Sequence, residues 1–341
     1  MEGLNQKITT QAESAERLLE EGKNPGLGVR KLHEQGITGA GVVVGVIDQR
    51  ISPTHAEFKD NIVSSKKYYT LESADDTEVS LHGPAVVSLL AGKECGVAPD
   101  AKVVYGNINA SVDGFLGYSK ALRDIIEYNK HNEPKIKIVS VSKGYNKVPG
   151  VEEWLALKET AKESGITVID SDYFDKNSIT GGGSKHNKDQ FDDYDLPLFS
   201  LEKDFADGTL SVQDVEKKVA SLDEDTRKRF FDKFKTYQSA VDSYNDRLKN
   251  EIIVPCDYRT MASKEGDNEY RYEEKGGWSW AIPYFAGVFA LALQVNPNLT
   301  DDEFLEIVKE TAGQNKKGIK VINPGGIVRE VRKRADSEEE K

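Results

Sequence analysis

The residue best placed to do chemistry in this sequence is Ser279. It follows two glycines and stands just ahead of the apolar run 284–293. A run that is apolar on every face predicts a helix buried in the core. Ser279 would then lie in the first turn, where backbone N–H groups lack partners. That position suits a nucleophile and the oxyanion it creates, and it equally suits a helix N-cap. Taken alone, the N-cap is the favoured interpretation.

Asp48 ends a second informative segment. Residues 38–48 read as a glycine-marked turn followed by a continuous apolar strand. A strand without polar alternation is typical of a parallel sheet covered on both faces. Ligand-handling residues collect at the carboxyl ends of such strands, and Asp48 stands there. An aspartate that caps the following loop would fit the pattern as well.

His82 begins the third segment, residues 81–92, where a short apolar helix is predicted. Pro84 falls in the first turn of that helix, where its missing N–H does no harm. The backbone at the start of a helix is fixed by the helix, so a histidine there has a fixed position. For an isolated residue, a surface histidine near a turn is the simpler interpretation.

The order Asp48, His82, Ser279, with the segments around them, resembles the subtilases, the subtilisin-like serine peptidases. The family's His-Gly-Thr-His motif corresponds to residues 82–85, which keep the histidine but lose the threonine and the second histidine. Its Gly-Thr-Ser-Met-Ala-Thr-Pro motif corresponds to residues 277–283, where tryptophan replaces both neighbours of the serine. Weaker similarities occur at 32–42, 96–103, 137–144 and 318–324.

The resemblance implies a fold and a mechanism. The fold is α/β, with three layers and a mostly parallel central sheet flanked by helices. His82 would take the proton of Ser279, Asp48 would orient and stabilise the imidazole, and the Ser279 N–H would be one oxyanion donor. The leading function is therefore a serine endopeptidase that acts through an acyl-enzyme. The alternative is a weak or inactive subtilase-like module that binds peptides or proteins. An unrelated doubly wound protein is disfavoured by the flanking similarities.

The second oxyanion donor and the substrate contacts are less clearly encoded. Subtilases present an asparagine after a core strand, and ungapped counting places Phe174 there. Asn177, Tyr173 or Ser171 could donate instead. By resemblance, the segment that contains Ser142, Lys143 and Gly144 should pair with extended substrate backbone. Asp170 and Asp172 fall near the expected S1 wall, where they would favour a basic P1 side chain or simply cap the loop.

Three regions of the chain are distinguished. Residues 1–24 are expected to form a helical extension, residues 25–333 the peptidase domain, and residues 334–341 an acidic disordered tail. Within the domain, a charged helical insertion spans about 184–250. The glycines at 181–183 suggest a hinge, Ser211 a helix start, and residues 225–249 an aromatic-lined helix. The insertion would pack on the body as a helical hairpin, or form a lid or partner-docking arm.

Composition narrows the partners and the location. A net charge of −12 argues against sequence-independent nucleic-acid binding and against anionic membrane surfaces. Two cysteines, Cys95 and Cys256, and an N-terminus without a signal-peptide pattern predict a cytoplasmic protein. No zinc spacing occurs, and no cofactor is expected. Calcium is a family possibility, but Gly92 reaches Gly96 through three residues, without the family's calcium loop. The expected partner is a peptide or protein substrate.

Overall fold

A five-stranded parallel sheet forms the centre of the fold. The computed structural model describes residues 14–69, 79–109, 114–145, 149–196 and 211–339. The sheet has the order β2-β3-β1-β4-β5, and every neighbouring pair is parallel. Its strands are β1 (Val43–Gln49), β2 (Ile62–Lys67), β3 (Lys102–Ile108), β4 (Ile138–Ser140) and β5 (Thr167–Ile169). The central strand β1 is buried from Val43 to Asp48, as its unbroken apolar run predicts.

Helices cover both faces of this sheet. One face packs against α3 (His82–Ala91) and α10 (Trp278–Val295), and the other against α4 (Leu116–His131) and α5 (Val151–Glu163). The remaining helices are α1 (14–23), α2 (Val29–Glu34), α6 (Ser171–Asn177), α7 (Val212–Ala220), α8 (Glu224–Phe234), α9 (Tyr237–Asn250), α11 (Asp301–Thr311) and α12 (Pro324–Glu339). The three-layer α/β prediction is confirmed.

Helix α10 is the core helix that the apolar run predicted. Every residue from Trp280 to Leu293 is buried. Among the described residues it is the one helix long and apolar enough to cross a membrane by length and composition, but 78% of it is buried inside the protein. It packs against α3, α12 and β4, so the first turn that carries Ser279 is fixed to the sheet.

A second sheet lies beside α10. Its order is β10-β11-β7-β6, with β6 (Ile179–Gly182), β7 (Ile252–Pro255), β10 (Gly313–Gln314) and β11 (Lys320–Val321). A separate hairpin joins β8 (Arg259–Ala262) to β9 (Tyr270–Glu273). The prediction of a flexible hinge at 181–183 is wrong, because Gly181 and Gly182 pair with Val254 and Pro255 and all are buried.

The charged insertion packs on the body of the protein. Its part at 197–210 lies outside the described residues. Ser211 begins α7 through a capping box with Asp214, as predicted. The single helix expected over 225–249 is instead two helices, because Lys235 has a φ of 64° and Thr236 caps α9. The aromatic stripe is largely buried against the body, with Phe230, Phe234 and Tyr244 in the main core.

Both termini of the described chain are helical. The predicted N-terminal helix is present as α1, and residues 1–13 lie outside the described residues. The prediction of a disordered tail from residue 334 is wrong as far as residue 339, because α12 continues through Glu339. Arg334 holds it there by pairing with Glu306 and Glu310 on α11. Cys95 and Cys256 are both buried and free.

The start of α3 approaches the end of β1 so closely that only glycine fits at position 83. A Cβ on Gly83 would lie 2.1 Å from the Gln49 carbonyl oxygen. Gly83→Ala should therefore lower the free energy of unfolding by about 1–3 kcal/mol. Gly144→Ala is the matched control, because its Cβ would meet nothing within 4 Å. Urea denaturation of both variants tests this, and equal midpoints would contradict it.

Candidate active site

The structure brings Asp48 and His82 together. Asp48 is the last residue but one of β1, His82 is the first residue of α3, and the Asp48 Oδ1 lies 2.7 Å from the His82 Nδ1. The Asp48 side chain is 2% exposed and that of His82 is 25% exposed. The same carboxylate oxygen accepts a hydrogen bond from the Gln49 N–H. The carboxylate therefore fixes one imidazole nitrogen and leaves Nε2 for other partners.

Ser80 anchors His82 from the preceding turn. Its hydroxyl oxygen accepts from the backbone N–H groups of His82 (3.1 Å) and Gly83 (3.0 Å). Its own N–H donates to the Arg50 carbonyl, just past the end of β1. Sequence reasoning missed Ser80. A serine two residues ahead of a predicted helix start is the signal that could have found it.

The pKa of His82 is raised above its usual value of 6.5. Burial alone would lower the pKa, but the charge of Asp48 and the hydrogen bond to it outweigh burial, while the Lys143 ammonium opposes them. A raised pKa means that the imidazole becomes neutral, and able to take a proton, only at a higher pH. The charged form stabilises the fold at low pH, and that contribution is lost as the pH rises through the folded-state pKa.

Ser279 lies in the first turn of α10 and is partly exposed. Four residues later, Pro283 has no N–H to donate to the Ser279 carbonyl. The Ser142 hydroxyl donates to that carbonyl instead, at 3.0 Å. This bond ties the segment after β4 to the backbone of Ser279. The Ser279 N–H belongs to the first turn of α10, where backbone N–H groups have no partner within the helix and can bind an anion.

The two tryptophans beside Ser279 face different partners. The Trp280 ring packs on the His82 imidazole, with centroids 5.2 Å apart and planes tilted by 34°. Trp278 contacts the Phe174 ring, and its Nε1 donates to the Thr180 hydroxyl. The Thr180 hydroxyl also accepts a hydrogen bond from Arg247 on α9. The insertion is therefore bonded to β6, the same strand that bonds the Trp278 side chain.

The predicted side-chain oxyanion donors have other acceptors. The Asn177 amide donates to the Tyr173 carbonyl within α6, and the Tyr173 hydroxyl donates to Asp301 on α11. The Ser171 hydroxyl donates to the Lys143 carbonyl. Phe174 is fully buried against α10. All three candidates are engaged in structural bonds, and none of these bonds is to Ser279.

The residues predicted to bind substrate divide into two groups. Ser142, Lys143 and Gly144 follow β4 beside Ser279, and Gly144 is exposed. Asp170 is 1% exposed and caps α6 through the Tyr173 N–H. Lys158 lies 2.9 Å from Asp170 and 3.0 Å from Asp172. Asp170 therefore caps helix α6, and Lys158 balances its charge.

A hydrogen-bonded network that the sequence did not reveal supports residues 142–144, the segment predicted to bind substrate. The Tyr145 hydroxyl donates to Asp170 and accepts from the Trp154 Nε1 at 2.8 Å. Lys158 bonds both Tyr145 and Asp170. Tyr145 directly follows Gly144, so this network fixes the far end of the segment. Over the described residues, no group of three or more His, Cys, Asp or Glu side chains could hold a metal ion.

Two histidines should titrate on opposite sides of 6.5. His82 should titrate above it, and His33 below it, because burial lowers the pKa of His33. Asp48→Asn should lower the pKa of His82 and leave that of His33 unchanged, since it removes the charge facing one imidazole only. NMR titration of the imidazole protons measures both. A His82 pKa that does not move in the variant would contradict the pairing.

The Trp280 ring should stabilise the charged form of His82. An aromatic face near a cation contributes about 0.5–1 kcal/mol. Trp280→Leu should therefore lower the pKa of His82 in the same titration, whereas Trp280→Phe should largely preserve it. Equal His82 pKa values in the leucine and phenylalanine variants would show that the ring contact has no such effect.

Sequence comparison finds serine proteases among the relatives of this chain. The chain is 27% identical over 305 residues to the serine protease AprX of Bacillus subtilis, covering 81% of this chain and 62% of that protein. It is 24% identical over 304 residues to the subtilisin-like protease PopC of Myxococcus xanthus, covering 84% of this chain and 58% of PopC. The chain thus spans less than two thirds of the length of either relative.

Solved structures show the same fold. A subtilase cytotoxin SubAB structure aligns with a TM-score of 0.60 at 16% identity, over 91% of this chain and 96% of that one. The prenylagaramide maturation protease PagA aligns with a TM-score of 0.53 at 15% identity, over 89% and 98%. The profile of the subtilase family matches residues 39–331, and this chain belongs to the subtilase family.

Proposed function

We propose that this protein is a serine endopeptidase that cleaves peptide bonds through an acyl-enzyme formed on Ser279. The observation that carries the proposal is the 2.7 Å contact between His82 and Asp48, which lies near the carboxyl end of the central strand β1. Ser142, just after the neighbouring strand β4, bonds the carbonyl of the partly exposed Ser279. Family membership and the serine protease relatives support a peptidase. The roles of the three residues are part of the proposal.

The proposed reaction uses the chain's own groups. His82 Nε2 takes the proton of the Ser279 hydroxyl as the oxygen attacks the substrate carbonyl, and later gives it to the leaving amine. Asp48 holds Nδ1 and stabilises the imidazolium. The Ser279 N–H at the start of α10 donates to the oxyanion. Water then hydrolyses the ester by the same proton transfers in reverse. No cofactor takes part.

Substrate backbone would lie along the segment from Ser142 to Gly144. Gly144 is the exposed residue of this segment, and an extended peptide can form main-chain hydrogen bonds with its backbone. Because the Ser142 hydroxyl is bonded to the Ser279 carbonyl, a peptide held on this edge is held at a fixed distance from the nucleophile.

A second candidate function is a weak or inactive peptide-binding protein. One observation favours it: the sequence-predicted oxyanion donors Asn177, Tyr173 and Ser171 all bond other groups. Losing one such donor costs about 10²–10³ in rate where it has been measured. The cytoplasmic location and a protein partner at the insertion remain predictions.

Covalent labelling with a fluorophosphonate probe separates the two functions. An assembled site should label once, and Ser279→Ala and His82→Ala should abolish labelling. Ser164→Ala is the control, because this exposed serine directly follows α5 and its hydroxyl donates to the Thr160 carbonyl, away from the proposed site; its labelling should match that of the unaltered protein. A folded protein that does not label would overturn the endopeptidase proposal in favour of peptide binding.

A further inference from the structure

The charges along the substrate segment differ from those expected from the sequence. Asp170 and Asp172 suggested a basic P1 preference, but Lys158 contacts both carboxylates and Lys176 also pairs with Asp172. Asp170 is almost completely buried. Two carboxylates that are already paired offer little to an incoming cation, because most of their field is cancelled at short range.

Unlike the two paired carboxylates, the cation Lys143 in this segment is not paired with an opposite charge among the described residues. Its side chain is partly exposed, and it forms no ion pair with any carboxylate among the described residues. Its neighbour Ser142 bonds the Ser279 carbonyl, and its own carbonyl accepts from Ser171. The backbone of Lys143 is therefore fixed on both sides, while its ammonium forms no ion pair with any carboxylate in the part of the chain that the structure describes.

The ammonium of Lys143 also acts on the catalytic histidine. It is one of the groups that change the pKa of His82, in the lowering direction. A like charge lowers a pKa only when it lies close by. This agrees with the sheet, in which β4 pairs with β1 and so brings the segment after β4 to the same end of the sheet as His82. The chain as a whole is acidic, with a net charge of −12. An acidic peptide is therefore repelled by most of the protein and attracted by a local cation such as Lys143.

We infer that Lys143 makes the cleft beside His82 a subsite for an acidic substrate side chain, an aspartate or glutamate near the bond to be cut. The inference rests on the proposed function of the same site. A carboxylate bound there would give Lys143 the partner it lacks. A bound carboxylate would also cancel the positive field on His82 and so favour the imidazolium that forms during catalysis.

Peptides that differ at one position test this subsite. Each position near the scissile bond is occupied in turn by Glu, Gln or Lys, and kcat/KM is measured for each peptide. One position should favour Glu over Gln by about tenfold, which is about 1.4 kcal/mol, with Lys cleaved slowest. The preference should shrink as salt rises, because the charges are screened. Equal cleavage of Glu and Gln peptides at all positions would overturn the inference.

Variants of Lys143 assign the preference to this residue. Lys143→Met should remove it, Lys143→Glu should reverse it toward Lys, and Lys143→Arg should keep it. Lys130→Met is the matched control, since Lys130 is an exposed cation on α4 paired with Glu127; it should keep the preference. A preference that survives in Lys143→Met, or one lost in Lys130→Met, would overturn the inference. A changed pH profile without any substrate preference would do the same.

A binding measurement keeps the two proposals separate. Fluorescence anisotropy of the same labelled peptides with the Ser279→Ala protein reports affinity without cleavage, and Glu peptides should again bind tighter than Gln peptides. A protein that labels with the fluorophosphonate but shows no acidic preference retains its proposed function and loses this inference. A protein that does not label, yet binds Glu peptides through Lys143, loses the peptidase function and retains the acidic subsite.

Discussion

The buried carboxylate of Asp48 is the constraint on which the site depends. A charge with 1% exposure is costly unless it is paired and hydrogen-bonded. The Gln49 N–H and the His82 ring meet that need. To bring the histidine there, α3 must begin against the end of β1, which requires glycine at position 83 and the Ser80 hydroxyl beneath the first turn. The orientation of the imidazole is thus a condition of the fold as well as of the chemistry.

Ser279, the proposed nucleophile, is positioned by different contacts. Pro283 removes one helical hydrogen bond from the turn that carries Ser279, and Ser142 replaces it from the neighbouring strand segment. That segment is held at its other end by Tyr145, through Asp170, Trp154 and Lys158. Ser279 and the segment proposed to bind substrate, residues 142–144, therefore share one hydrogen-bonded support. The insertion is connected to the same support, since Arg247 on α9 and Trp278 on α10 both donate to the Thr180 hydroxyl.

Secondary-structure elements with a strong local pattern could be predicted from the sequence. Side-chain contacts with partners that are distant in the chain could not. The apolar runs ending at Asp48 and following Ser279 correctly predicted a parallel strand and a buried helix, because each is continuous over several turns or residues. The roles of Asp170 and Tyr173 could not be predicted, because their partners Lys158 and Asp301 lie on other elements. Glycines at 181 and 182 indicated a hinge by composition, whereas tertiary pairing makes them strand. Arg334 extends α12 by contacts that no local pattern encodes.

The position of α10 in the sequence also affects the order in which the chain folds during synthesis. The ribosome makes Asp48 and His82 early, but the helix that carries Ser279 and fills the face of the sheet emerges only after some two hundred further residues. Contacts so far apart in sequence form slowly. The nascent chain therefore exposes the apolar face of the sheet until α10 docks. The helix that completes the core is the same one that carries Ser279, so the core and the grouping of Asp48, His82 and Ser279 are completed in one step.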